Sequence, residues 1–284
     1  MRLVFCECKK GEAVAEMSFE LWWWAYLLLG AVAGFLAGLL GIGGGGLMVP
    51  ILTSIFVAQG APLEHVVHLA LGTAMAIMVI TAVSSFRAHH RHGSVRWDIW
   101  RRITPGIILG AFGTSFIAAW IPTAPLAIFF AFFMACMSIQ MLINVKPAPT
   151  RQLPGTVGTG VVGAVIGGIS ALVAIGGAAL SVPFMVWCNV KLQHAIGTSA
   201  AIGWPVAVAG ALGYMVNGWG AEGLPPWSVG YIYVPALLTV ALAGVVTAPL
   251  GARLAHRMPV ARLKKAFAVF FMALSLKMLH TLFF

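Results

Sequence analysis

Four consecutive glycines inside a long apolar stretch limit this chain more than any other feature. They are Gly43, Gly44, Gly45 and Gly46, and Pro50 follows them closely. In a helix interior, glycine costs about 1 kcal/mol relative to alanine and proline about 3 kcal/mol. We therefore predict that the helix breaks at the glycines. At membrane depth, such a break is tolerated only where the backbone is buried in protein or lines a cavity.

The same arrangement returns in the second half of the chain, as Gly176 and Gly177 followed by Pro183. Alanine replaces the last two glycines in this second copy. Two broken segments at corresponding positions of two halves are the best sequence indicator of a transporter binding site.

The composition indicates an all-α polytopic membrane protein. The 284 residues are 61% hydrophobic and 8% charged, with a mean hydropathy of +0.97, whereas soluble domains are about 25% charged. The formal net charge is +10, but the basic residues lie in short loops between apolar runs. The positive-inside rule explains that placement, so we expect no nucleic-acid partner.

The chain divides into two repeats of five apolar segments each. We predict a polar extension over 1–20, repeat 1 over 21–143, a linker over 144–154 and repeat 2 over 155–284. The second segment of each repeat is only about a dozen residues long, roughly 18 Å as a helix, less than the ~30 Å bilayer core. The expected fold has eight full spans and two short half-helices. The segments are 21–40, 47–58, 65–86, 99–121 and 122–143, then 156–173, 179–190, 194–215, 229–250 and 262–282.

Loop charges indicate that the repeats are inverted. Arg87–Arg102 holds five arginines, and its counterpart at 217–227 has no lysine or arginine. Conversely, Arg253–Lys265 holds five basic residues and its counterpart at 120–125 none. Equivalent loops therefore face opposite sides. We expect both basic loops and the linker, with Lys146–Arg151, to be cytoplasmic, both termini to be external, and the broken segments to be hairpins entering from opposite faces.

The glycine tips of the two hairpins are the candidate substrate site. The short helices that follow them direct N-terminal dipoles and unpaired N–H groups to the tips, which favours anions. Alternatively, the glycines only allow helices to cross closely. Each following span carries small and hydroxyl residues about one turn from its start, and these could bind an oxyanion or bond to a backbone or neighbouring helix. They are Gly72, Thr73, Gly197, Thr198 and Ser199. Ser54, Ser181 and Asn189 in or next to the short segments are further candidates.

All seven carboxylates lie in the tail or loops. A span interior without carboxylates argues for an anionic or neutral substrate. If protons drive transport, His65, His68 and His194 are the available titrating groups, although an interfacial histidine often has no such role. We expect no catalytic residue, metal or cofactor. A haem or metal enzyme would need facing histidine pairs inside spans, and a structural or assembly protein would not need two glycine-broken hairpins.

These motifs resemble the sulfite exporter TauE/SafE family, also called the toluene sulfonate uptake permease family. The residues that carry the resemblance are GLLGIGGG at 38–45 with Pro50, the second glycine motif with Pro183, the two Gly-Thr pairs, and Gly93-x-Val95-x-Trp97. The resemblance covers roughly 21–282. It implies an inner-membrane secondary transporter of sulfite, sulfonates or related organic acids, working by alternating access. The expected partners are this small anion and the lipid bilayer, with a homodimer left open.

Overall fold

A computed structural model describes residues 22–37, 45–91, 93–143, 150–255 and 260–283, without the side chains of 88, 252–267 and 282–283. Ten helices and one small hairpin make up the described part of the chain. They are α1 (Trp22–Ala37), α2 (Gly45–Ala58), α3 (Val66–Arg91), α4 (Trp97–Trp120), α5 (Thr123–Ile143), α6 (Thr156–Val173), α7 (Ala178–Trp187), α8 (Leu192–Asn217), β1 (Ser228–Val229), β2 (Ile232–Tyr233), α9 (Val234–Ala255) and α10 (Val260–Phe283).

Six of these helices, namely α3, α4, α5, α6, α8 and α9, are long and apolar enough to cross a membrane in the described part of the chain. Shorter apolar helices are α1, α2, α7 and the Ala268–Thr281 part of α10. The multi-pass, all-helical architecture is therefore as predicted, and the expected half-helices correspond to α2 and α7. The full number of spans stays a prediction.

The start of α9 corrects the expected segment boundary. A span was predicted from residue 229, but the chain first forms an antiparallel hairpin in which Ser228 pairs with Tyr233 and Val229 with Ile232. Gly230, at a φ of 57°, makes the tight turn, which is a backbone conformation that glycine adopts at little cost. Helix α9 therefore begins only at Val234.

Helices α3 and α8 form the centre of the molecule. In their most apolar stretches, 72% and 78% of the residues are buried, against 28–44% in the other candidate spans. Around them, glycine faces allow close helix contacts. On α6, Gly163 and Gly167 lie against the carbonyls of Ile103 and Ile107 on α4. In the same way, α1 packs on α9 through its own glycines, Gly30 on Val240 and Gly34 on Gly244.

These two helix contacts are copies of one another. Gly30 and Gly34 are separated from Gly163 and Gly167 by the same sequence distance that separates the two glycine motifs. Their partners also correspond, because Ile103 precedes Val240 by the same distance as Ile107 precedes Gly244. The first helix of each sequence half therefore packs on the fourth helix of the other half.

Hydrogen bonds at the helix ends define two faces. At one, which we call the tryptophan face, Tyr26 at the start of α1 donates to Gln59 after α2, and Thr123 at the start of α5 donates to the carbonyl of Glu64 before α3. Five exposed tryptophans lie there, at helix ends or in the loop before β1: Trp23, Trp24, Trp120, Trp219 and Trp227.

The opposite face, which we call the arginine face, contains the end of α3 and the starts of α4 and α8. Its exposed basic residues are Arg87, Arg91, Arg96, Arg101, Arg102, Arg151 and Lys191. Arg96 also pairs with Asp98, with Nη2 2.7 Å from Oδ2. That carboxylate raises the pKa of the guanidinium, so Arg96 is charged at every physiological pH.

Candidate functional site

The two glycine-broken segments touch each other through their backbones. Gly45 is the first residue of α2, and a Cβ atom there would clash with the carbonyl oxygen of Ala174 and the sulfur of Met78. A Cβ atom on Gly46 would lie 3.2 Å from Cγ1 of Ile175. The first two glycines of the run, Gly43 and Gly44, lie outside the described residues. The start of α2 thus lies on the turn between α6 and α7.

That turn is built from two residues in the left-handed conformation. Ala174 ends α6 at a φ of 45°, and Gly177 precedes α7 at a φ of 71°. Between them, the N–H of Gly177 donates to the carbonyl of Ile175 at 2.6 Å. Gly203 of α8 lies beneath the turn, because a Cβ atom there would be 3.0 Å from the carbonyl oxygen of Gly176. The predicted break at Gly176 and Gly177 is therefore present.

Each short helix carries its proline at the same place. Pro50 is the sixth residue of α2, and Pro183 is the sixth residue of α7. Because proline has no N–H, neither can bond the carbonyl four residues earlier, which belongs to Gly46 or Ala179. The first turn of any helix also leaves N–H groups without an intrahelical partner. Both short helices therefore begin with incompletely bonded backbones, and the start of α2 lies on the turn that leads into α7.

A pair of buried hydroxyls lies one turn into α7. Ser181 on this helix donates to Ser199 on α8 at 2.8 Å, and both side chains are fully buried. Two hydroxyls joined by one hydrogen bond still have a second O–H to donate. Ser199 was a predicted site residue. Ser181 was a further candidate, and it faces α8 from the first turn after Gly177.

The two Gly-Thr pairs have backbone partners. A Cβ atom on Gly72 would clash with the carbonyl of Tyr231, and the Thr73 hydroxyl accepts from the N–H of Tyr233 at 3.0 Å. On α8, a Cβ atom on Gly197 would lie 2.7 Å from the carbonyl oxygen of Ser94.

The Thr198 hydroxyl accepts from the N–H of Arg96 at 2.9 Å. The segments 94–96 and 231–233 have the same separation in sequence as Ile103 and Val240. That shared spacing was the signal that could have identified these partners from the sequence.

Two of the three predicted proton-coupling histidines, His65 and His68, pack on the ring of Tyr231 with centroids 5.6 and 5.3 Å away, whereas His194 lies apart. His68 Nε2 lies 2.9 Å from the carbonyl oxygen of Ala118, and its buried Nδ1 has no hydrogen-bond partner. His65 Nδ1 lies 3.4 Å from the Tyr231 hydroxyl at the same tryptophan face. Burial raises the pKa of Tyr231, so its hydroxyl stays protonated. His194 lies at the arginine face, with Nδ1 3.2 Å from the carbonyl oxygen of Ser94.

Comparison with known proteins identifies the family. The family model described as "Sulfite exporter TauE/SafE" matches residues 26–278. A probable membrane transporter protein of Haemophilus influenzae is 35% identical over 253 residues, covering 89% of this chain and 96% of that protein. Probable membrane transporter proteins of Bacillus subtilis and Methanocaldococcus jannaschii are 27% and 26% identical, each covering 84% of this chain and 93% and 88% of those proteins.

No solved structure matches the chain. The family match spans most of the sequence, and the six apolar helices agree with the relatives' names as probable membrane transporter proteins. The resemblance inferred from the glycine motifs is thereby confirmed. The chain belongs to the sulfite exporter TauE/SafE family and is a multi-pass membrane transporter.

Proposed function

We propose that the protein is a secondary transporter that moves a small anion, a sulfur-containing oxyanion or organic acid such as sulfite or a sulfonate, across the inner membrane by alternating access. The observation that carries this proposal is the contact of Gly45, at the start of α2, with Ala174 in the turn that leads into α7. Helix N-termini favour negative charge through their dipoles and free N–H groups.

The proposed site comprises the glycine tips and the adjacent hydroxyls. In addition to the N–H groups, the pair Ser181 and Ser199 supplies an O–H donor at the second tip. The three carboxylates in the described part of the chain, Glu64, Asp98 and Glu222, are exposed near helix ends and do not lie inside the helix bundle. The residues of the proposed site are Gly43, Gly44, Gly45, Gly46, Gly176, Gly177, Ser181 and Ser199. Pro50 and Pro183 contribute because each leaves the carbonyl four residues earlier without its helical N–H donor.

The alternating-access part of the proposal uses two inverted repeats, residues 21–143 and 155–284. Supporting it are the duplicated contacts of α1 with α9 and of α6 with α4, which recur at constant spacings. The basic residues gathered at the arginine face support a cytoplasmic position for that face. Proton coupling through His65, His68 or His194 remains a prediction, as does a homodimer.

Counterflow in proteoliposomes tests the transport proposal. Purified protein would be tested with sulfite, thiosulfate, a short alkyl sulfonate and acetate, each as labelled external anion against a preloaded unlabelled pool. We expect saturable, protein-dependent uptake of at least one sulfur-containing anion. Gly177 has a positive φ, and a Cβ atom added to it would lie 3.2 Å from Cγ2 of Ile202. Gly177→Leu should therefore abolish that uptake.

The matched control is Gly113→Ala, since no atom lies within 4 Å of a Cβ atom built at Gly113. It should insert into the membrane and transport as the unmodified chain does. Counterflow of none of the four anions by well-folded protein would contradict the anion assignment. Full transport by Gly177→Leu would remove the glycine tips from the proposed site.

A further inference from the structure

The two Gly-Thr pairs are the feature that the proposed substrate site does not use. Each holds an extended backbone segment of the other sequence half against a central helix. We define the tyrosine clasp as Gly72 and Thr73 of α3 with residues 231–233. We define the arginine clasp as Gly197 and Thr198 of α8 with residues 94–96.

In both clasps, the glycine and the threonine act on neighbouring peptide groups. The glycine lets the helix approach a carbonyl, that of Tyr231 or Ser94, because a side chain there would collide with it. The threonine hydroxyl then accepts the N–H two residues further on, from Tyr233 or Arg96. Those residues directly precede α9 and α4. Each clasp therefore fixes where a peripheral helix starts.

We propose that Thr73 and Thr198 are positioning residues that clasp the segments before α9 and α4 at opposite membrane faces, and that the arginine clasp opens more readily than the tyrosine clasp. A carrier that exposes its site to each side in turn needs paired closures of this kind at its two faces. The proposal rests on the transporter function, but not on which substrate is carried.

The difference in stability follows from what surrounds the two hydrogen bonds. The N–H of Tyr233 is buried, and its ring packs edge-on against Phe56 with centroids 5.7 Å apart. In the arginine clasp, Arg96 is exposed and its side chain pairs with Asp98 in solvent. A broken bond leaves the Arg96 N–H free to meet water, whereas the Tyr233 N–H would stay unpaired in an apolar cluster. An unsatisfied buried donor costs more than an exposed one.

Cysteine reporters at the middle residue of each clasp test this proposal. Val95 and Ile232 are equivalent in position and similarly buried, at 8% and 7% exposure. Each would be changed to cysteine in a chain whose Cys6, Cys8, Cys136 and Cys188 are replaced by alanine. In lipid nanodiscs both faces are accessible, so the rate of reaction with an impermeant maleimide reports the opening of each clasp without any substrate.

With the clasps otherwise unchanged, we expect Val95→Cys to react faster than Ile232→Cys. Adding Thr198→Val should raise the rate at position 95 about five-fold, which is the effect of losing one typical hydrogen bond. Thr198→Ser, which keeps the hydroxyl, should restore the original rate. The rate at position 232 should not change in either variant.

Three results would overturn the proposal. One is faster reaction at position 232 than at 95 in the unchanged clasps, a comparison that needs no destabilising variant. Another is an unchanged rate at position 95 in Thr198→Val. The third is a rise at both positions, which would mark general loosening rather than a clasp. If Thr198 contacted the anion instead, its valine variant would raise the KM of counterflow and leave labelling unchanged.

Discussion

Replacing Gly45 by alanine adds a single methyl group at the contact between the two broken segments. We expect this change to reduce transport strongly, because no space is left for the new atom. The Cβ atom would clash with the carbonyl oxygen of Ala174 and with Sδ of Met78. The methionine side chain can move aside, but the carbonyl belongs to the turn that ends α6.

The magnitude follows from the rigidity of that turn. Ala174 is held in the left-handed conformation, and the next N–H, of Ile175, bonds back to the carbonyl of Ser170 at 3.3 Å. Regaining ordinary contact at about 3.5 Å therefore requires one hairpin tip to retreat. Overpacking of this kind costs about 1–3 kcal/mol. At about 1.4 kcal/mol per factor of ten, the touching arrangement becomes about five-fold to 150-fold less populated.

A series of three glycine variants makes the test quantitative. In Gly113→Ala, the methyl group enters open space. In Gly46→Ala, it would lie 3.2 Å from Cγ1 of Ile175 and 3.3 Å from Sδ and Cε of Met134, all of which are flexible side-chain atoms. Counterflow in proteoliposomes should therefore decrease in the order Gly113→Ala, Gly46→Ala, Gly45→Ala. Thermal unfolding measured on the same preparations separates loss of function from loss of fold.

One outcome refutes this reasoning directly. If Gly45→Ala transports at the rate of Gly113→Ala and unfolds at the same temperature, the tips do not need their close contact. A uniform loss across all three variants would show that helix glycines matter in general rather than at this contact.

Two further predictions concern the second tip and the topology. Ser181→Ala and Ser199→Ala should each destabilise the protein by about 1–3 kcal/mol, because each leaves a buried hydroxyl unpaired. The double variant should lose less stability than the sum of the two single losses, which a double-mutant cycle of unfolding free energies measures. Strictly additive losses would mean that the hydroxyls are not coupled. A phosphatase fused after Phe284 should be active, because both termini are expected outside. If the phosphatase is inactive and a reporter that fluoresces only in the cytoplasm is fluorescent at the same position, the proposed orientation is reversed.

The break in the second half could be predicted from sequence because its cause is local. Gly177 occupies a conformation that few other residues tolerate, and Pro183 cannot continue a helix without losing a bond. Both penalties can be recognised from residue type alone. The direct contact of the two tips could not, because it depends on how Gly45 and Ala174 approach each other from different halves of the chain.

The hairpin at 228–233 shows the opposite case. Its residues include Val229, Tyr231, Ile232 and Tyr233, which favour strands, but they continue without a break into the apolar run of α9. A prediction from hydropathy alone therefore assigned the hairpin and the helix to one continuous span. The same assignment concealed the tyrosine clasp, whose peptide groups lie in that segment. By contrast, the Gly-Thr pairs themselves were recognised, and only their backbone partners depend on the fold.

The exchange of first helices between halves has a consequence for biosynthesis. Helix α1 leaves the ribosome first, but its glycine face packs on α9, which begins only at Val234. At translation rates of about 5–20 residues per second, α1 waits roughly 10–40 seconds in the membrane before that partner exists. Helix α6 has no such delay, since α4 is already inserted when α6 emerges. In nascent chains that are halted before α9, the glycine face of α1 should therefore remain accessible to the membrane insertion machinery.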